Sequence, residues 1–122
     1  MNLNSYRDLC GRAAEDNGWH NGYRDALTFD SMRAVTDHVV AKTALIGCEV
    51  AEAIEELRDG HAPTETYYSV TNKPEGYPSE LADVIIRALD LAYMLDIDID
   101  QIVEEKLGFN ATRGRMHGGK KI

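Results

Sequence analysis

Leu3, Tyr6, Leu9, Cys10, Ala13 and Ala14 recur at the spacing of one helical face, and Asn17-Gly18 closes that run, so the pattern predicts a first helix over residues 3–16. From Trp19 to Phe29 the periodicity stops. The pairs Asn17-Gly18 and Asn21-Gly22 are turn signals with aromatics between them, which predicts an ordered loop. Trp19 there is either plain connection chemistry or a stacking wall for a ligand ring. A long second helix is expected from a cap at Asp30 or Ser31 to Asp59-Gly60, with Gly60 as its C-terminal cap. Val35, Val39, Leu45, Ile46, Ala53, Ile54 and Leu57 supply its packing side. Residues 61–79 hold all three prolines and little periodicity, a long loop of the kind that often serves as a lid or an oligomer contact. Tyr67, Tyr68 and Val70 are apolar enough to dock somewhere along it.

A third helix is predicted from about Ser79 to about Leu95. It is apolar on most faces, as suits the central helix of a bundle. A fourth opens with the capping pair Asp98 and Gln101 and runs to about Gly114, packing through Ile99, Ile102, Val103, Leu107 and Phe109. The basic tail His117-Gly118-Gly119-Lys120-Lys121 is expected to be flexible. The whole predicts an all-α protein, one domain over residues 1–122, with no internal repeat.

The polar positions are as regular as the apolar ones. His38, Lys42, Glu49, Glu52 and Glu56 stay close to one line of the second helix, while Glu55 and Arg58 serve as its solvent-facing charge. Glu80, Asp83, Arg87 and Asp90 form a line on the third helix, and Lys106, Asn110, Arg113 and His117 a basic line on the fourth. Carboxylates three apart share a helical face, so Glu49/Glu52 and Glu80/Asp83 are two pairs of oxygen ligands. Facing inward together, they would repel unless cations neutralised them, and Mg²⁺, or Mn²⁺, suits an all-oxygen set. A lone E-x-x-E is usually a solvated surface feature. Two on apolar helices, followed by a cationic helix, are much rarer. Neither Glu52 nor Glu80 has a histidine three residues on, which disfavours a di-iron carboxylate site. His38 reads as a packed or surface histidine rather than a ligand, and Arg87 as a structural partner of Asp83 or Asp90.

Charged residues are 28% and hydrophobic ones 43%, ordinary for a soluble globular chain. The net charge of −8 excludes a steering field for a nucleic-acid polymer but admits a nucleotide arriving with metal ions. Cys10 and Cys48 lack metal-ligand spacing and read as reduced packing residues of a cytoplasmic protein. Neither a signal peptide nor a membrane span is expected. Metal ions beside Lys and Arg are equipment for holding and cleaving a polyphosphate with activated water; no nucleophile with a dedicated base is apparent.

The Glu49/Glu52 and Glu80/Asp83 pattern, the stretch from Lys73 to Asp90, the segment Glu105-Lys106 through Arg113 to Lys120, and Asn17-Gly18-Trp19 together resemble the MazG-like members of the all-α nucleoside triphosphate pyrophosphohydrolases, in the version found in phage and prophage-type members. The resemblance covers nearly the whole chain. It implies a four-helix bundle assembled as a homodimer or homotetramer, and Mg²⁺-dependent hydrolysis of a nucleoside triphosphate between the α and β phosphates to monophosphate and pyrophosphate. It also implies metal ligation by Glu49, Glu52, Glu80 and Asp83, and phosphate contacts from Lys106, Asn110 and Arg113, which Lys42 would join. Some members carry a further Glu where this chain has Cys48, which leaves Glu52 or Glu56 as the general base. Asn17 and Trp19 would meet the base, and indole stacking favours a purine. The other reading is a catalytically silent helical module that binds nucleotides or a protein partner.

Overall fold

The computed structural model describes residues 2–29 and 31–113. Among them the chain forms five helices and one very small sheet: α1 (Leu3–Asp16), α2 (Asn21–Thr28), α3 (Met32–Arg58), β1 (Tyr67–Tyr68), β2 (Pro74–Glu75), α4 (Tyr77–Met94) and α5 (Ile99–Ala111). The all-α reading holds. The tail from residue 114, with His117 and Gly114, and Asp30 lie outside the described residues.

Local chemistry sets the helix ends. The Asn2 side chain accepts from Ser5 N at α1, Ser31 Oγ from Ala34 N at α3, and Asp98 from Gln101 N at α5, each relieving an unpaired first-turn N–H. Asp59 ends α3, and Gly60 follows with φ +94°, the left-handed turn that glycine makes freely. α4 begins two residues earlier than the sequence suggests, after Gly76, because Pro78 fits the first turn, where its missing N–H costs nothing. Gly76 has φ +112°, and a Cβ there would sit 2.3 Å from Glu65 O, so this entry to α4 requires glycine.

The expected loop over 19–29 is corrected: residues 21–28 are helical. Asn21-Gly22 opens that helix instead of making a turn, and Gly22 lets α2 lie against α3 where His38 packs, 6.1 Å from the Tyr23 ring. α4 is the central helix, flanked by α1 and α3. Gly11 is buried against Tyr93, and an added Cβ would fall 1.9 Å from Tyr93 Cγ, so α1 and α4 approach at a distance only glycine permits. The long 61–76 connection is not wholly irregular. Tyr67 pairs with Glu75 and Tyr68 with Pro74 in an antiparallel hairpin, while Val70 stands fully exposed at its tip.

α5 departs most from expectation. Its first turn is tied to α1: Leu3 N and Asn4 N donate to the Asp100 carboxylate at 2.9 and 3.1 Å, and Ile99 N donates to Asn4 Oδ1 at 3.0 Å. Beyond that turn Ile102, Leu107 and Phe109 are exposed rather than packed. Leu45, Ile54 and Leu57 of α3 are likewise exposed, and only Ala26, Ala53, Leu89 and Ala92 are buried apolar residues among those described. The chain therefore leaves much of its apolar surface uncovered.

Candidate metal centre and ligand cavity

α3 and α4 pack along their length, and their carboxylate pairs meet at that contact. Glu49, Glu52 and Glu80 each offer an oxygen within 4.8 Å of the others, a set that could hold a metal ion. Glu49 is buried, Glu80 half-buried and Glu52 exposed, so the cluster opens to solvent through Glu52. Helical geometry dictates this: Glu49 faces the helix contact beside Ala53, and Glu52, three residues on, stands at the rim of the same face.

The electrostatics show the cost of the arrangement. Burial, then the neighbouring Glu52, pushes the Glu80 carboxyl up to about 7. Its Oε2 is buried with no hydrogen-bond partner. Asp83 stands outside the closest set but beside it. Burial and then Glu49 raise its carboxyl, while Arg87 and Lys73 pull it down. An orphaned carboxylate oxygen in an all-oxygen cluster fits a hard divalent cation. Arg87 does not pair with Asp83 or Asp90 as the sequence suggested; its Nε donates to Glu49 Oε1. Among the described residues that guanidinium supplies the cluster's bonded positive charge.

Glu56, the other candidate base, is directed elsewhere. Tyr67 Oη donates to its two carboxylate oxygens at 3.0 and 2.9 Å, and His61, stacked on Tyr67 at 4.6 Å, lies 3.8 Å from it. Glu56 thus anchors the hairpin to the end of α3.

Beside the carboxylates opens a cavity of about 510 Å³. Its lining combines the charged Glu49, Asp83, Arg87 and Asp90, the apolar Leu9, Ala13 and Ile86, and Asn17 and Trp19. Of the expected metal residues, Glu49 and Asp83 share this cavity with the expected base residues Asn17 and Trp19, while Glu52 and Glu80 do not line it. Two cations approach Trp19: Lys42 Nζ and Arg87 Cζ lie 5.7 and 5.6 Å from its ring centre. Lys42 Nζ also donates to Trp19 O at 2.7 Å, so Lys42 fixes the indole instead of reaching freely toward the carboxylates. No α5 residue lines the cavity. Lys106 and Asn110 are exposed, and the Arg113 guanidinium rests 6.0 Å from the Phe109 ring; within one protomer these three do not join the cluster.

One residue of this region, His20, carries no role in the sequence reading, and Asp90 carries one only as a partner for Arg87. His20 is 2% exposed, and its Nε2 bonds Asp90 Oδ1 at 2.6 Å. Asp90 continues the acidic line of α4, so its place on the cavity side was legible; nothing in the sequence pairs it with a histidine seventy residues away. Comparison with known protein families, with curated proteins and with solved structures gives no match. No helix among the described residues is long and apolar enough to cross a membrane.

Proposed function

We propose that the chain is a MazG-like, Mg²⁺-dependent nucleoside triphosphate pyrophosphohydrolase of the four-helix-bundle type, cleaving between the α and β phosphates to release monophosphate and pyrophosphate. The observation that carries this reading is the meeting of Glu49, Glu52 and Glu80 at one point, with Glu49 also lining a nucleoside-sized cavity that contains Trp19 and Asn17. Three carboxylates held against one another with a single guanidinium bonded among them are destabilising, and that is difficult to explain as architecture alone.

Glu49, Glu52 and Glu80 would hold the Mg²⁺, or Mn²⁺, with Asp83 adjoining. When bound, the ion supplies charge neutralisation for the phosphoryl oxygens and acidifies a coordinated water. The chain's own groups do the rest. The cavity takes the base against its apolar wall and Trp19, holding the phosphates at the carboxylate end. Glu52, exposed at the rim, is the general base and accepts the proton of the attacking water; Glu56 is excluded from that step by its bonds to Tyr67. Arg87, which lines the same cavity, would stabilise charge on the phosphates.

A second copy completes the site. The half-exposed stripes Val50, Ile54 and Leu57 on α3 and Leu81 and Ile85 on α4 need a cover. α5 projects Lys106, Asn110 and Arg113 away from its own cavity, where they serve a neighbouring copy's phosphates in a homodimer or homotetramer. The test is pyrophosphate release with Mg²⁺ across the common ribo- and deoxyribonucleoside triphosphates. Turnover that disappears in Glu52→Gln, with helical content unchanged, supports the reading; no release from any of them refutes it.

A further inference from the structure

On the reading just given, the far end of the cavity has a specific chemistry. We infer that Asp90, oriented by the buried His20, reads the exocyclic amino group of the base, so the site takes bases with an amino group at that position (adenine, cytosine) and rejects those with a carbonyl there, such as thymine and uracil.

Position comes first. Asp83 and Asp90 lie on one line of α4, seven residues and therefore roughly 10 Å apart along the axis. That matches the reach from the α-phosphate, across the sugar, to the edge of a base. With phosphates at Glu49 and Asp83, the base edge falls at Asp90, which lines the same cavity.

Orientation comes second. Asp90 Oδ1 accepts from His20 Nε2 at 2.6 Å, and His20 itself is immobilised, 2% exposed, with Tyr93 5.9 Å away and Glu15 Oε2 3.9 Å from its other ring nitrogen. The Asp90 side chain keeps 18% of its surface open. Its other oxygen, Oδ2, has no hydrogen-bond donor among the described residues. The cavity therefore presents a fixed acceptor.

Chemistry comes third. A fixed carboxylate oxygen accepts from an amino N–H and repels a carbonyl oxygen in the same place. Cytosine and uracil differ at that position, an amino group in one and a carbonyl in the other. Asn17, whose amide makes no side-chain hydrogen bond among the described residues, lines the same cavity and can meet the adjoining ring nitrogen or carbonyl.

Trp19 is the sole tryptophan, so its fluorescence reports the cavity directly. Titrating dCMP and dUMP, and dAMP and dIMP, in Mg²⁺ buffer, by indole quenching and by calorimetry, should give at least about tenfold tighter binding of the amino member of each pair. Asp90→Asn, with the amide oxygen held by His20 and its NH₂ turned to the cavity, should narrow or reverse the dCMP/dUMP ratio; His20→Gln, which keeps a donor, should retain part of it. Equal binding, tighter binding of the oxo bases, or no binding by any of the four overturns the inference, whatever the variants do. Hydrolysis is scored separately. Release of pyrophosphate from dCTP and dUTP at equal kcat/KM overturns the Asp90 assignment alone, whereas selective binding without any release overturns the proposed reaction and leaves Asp90 as the base reader.

Discussion

Glu80→Gln should make the metal-free protein more stable. In the folded chain the Glu80 carboxyl is pushed up from 4.5 to about 7, first by burial and then by Glu52. Between those values the folded state binds more protons than the unfolded state, so stability falls as pH rises from about 4.5 to about 7, and the loss is complete above that window. Each pH unit is worth about 1.4 kcal/mol, giving an upper figure near 3 kcal/mol. The cluster opens to water through Glu52, which screens the repulsion and leaves about 1–2 kcal/mol. Urea denaturation in chelator at fixed protein concentration should show Glu80→Gln more stable than wild type by that amount at pH 8 and indistinguishable at pH 4.5. In a chain this long the same difference raises Tm by about 4–8 °C. Mg²⁺ should invert the order: at a hundredfold excess over its Kd it stabilises wild type by about 2.7 kcal/mol, and the variant loses most of that gain. A variant less stable than wild type in chelator at pH 8, or a wild-type midpoint that Mg²⁺ leaves unmoved, refutes the reasoning.

Four further outcomes are expected. Glu52→Gln should remove turnover, whereas Glu56→Gln should retain it within about tenfold while destabilising the hairpin anchor by about 1 kcal/mol, read by steady-state kinetics and denaturation. Gly11→Ala should cost about 2–3 kcal/mol in urea, because its methyl meets the Tyr93 ring and α1 must shift from α4. The imidazole of His61 is raised above 6.5, chiefly by its hydrogen bond to Glu65, so its contribution is fully present below 6.5 and lost as pH rises through the folded value. Its NMR titration midpoint should fall toward 6.5 in Glu65→Gln. Ile54→Lys, on the uncovered stripe of α3, should shift light-scattering mass to the monomer and lower activity together.

Much of the fold was legible because single residues act locally. Ser31 and Asp98 cap the helices they were expected to cap, Gly60 supplies the left-handed exit from α3, and the apolar faces of α4 mark the central helix. The carboxylate cluster was legible because spacing by three fixes a shared face before any packing is known. What failed was tertiary. Asn21-Gly22 carries a turn signature, yet Gly22 serves as the small contact that seats α2 on His38. Ile102, Leu107 and Phe109 of α5 gave the right period but find no cover among the described residues, so period alone placed them in a core they do not enter. Arg87 could reach several acids from its line, and only the crossing of α3 and α4 selects Glu49. The His20–Asp90 bond joins distant segments with no periodic relation.

The carboxylates of α3 and α4 are proposed to act on a triphosphate, and the bond that breaks is the direct evidence for that. Phosphorus NMR of a purine deoxynucleoside triphosphate incubated with the protein and Mg²⁺ should show monophosphate and pyrophosphate growing together, with neither appearing in chelator or in Glu52→Gln. A spectrum showing diphosphate and inorganic phosphate, or an unchanged triphosphate with the protein folded and Mg²⁺ present, contradicts it.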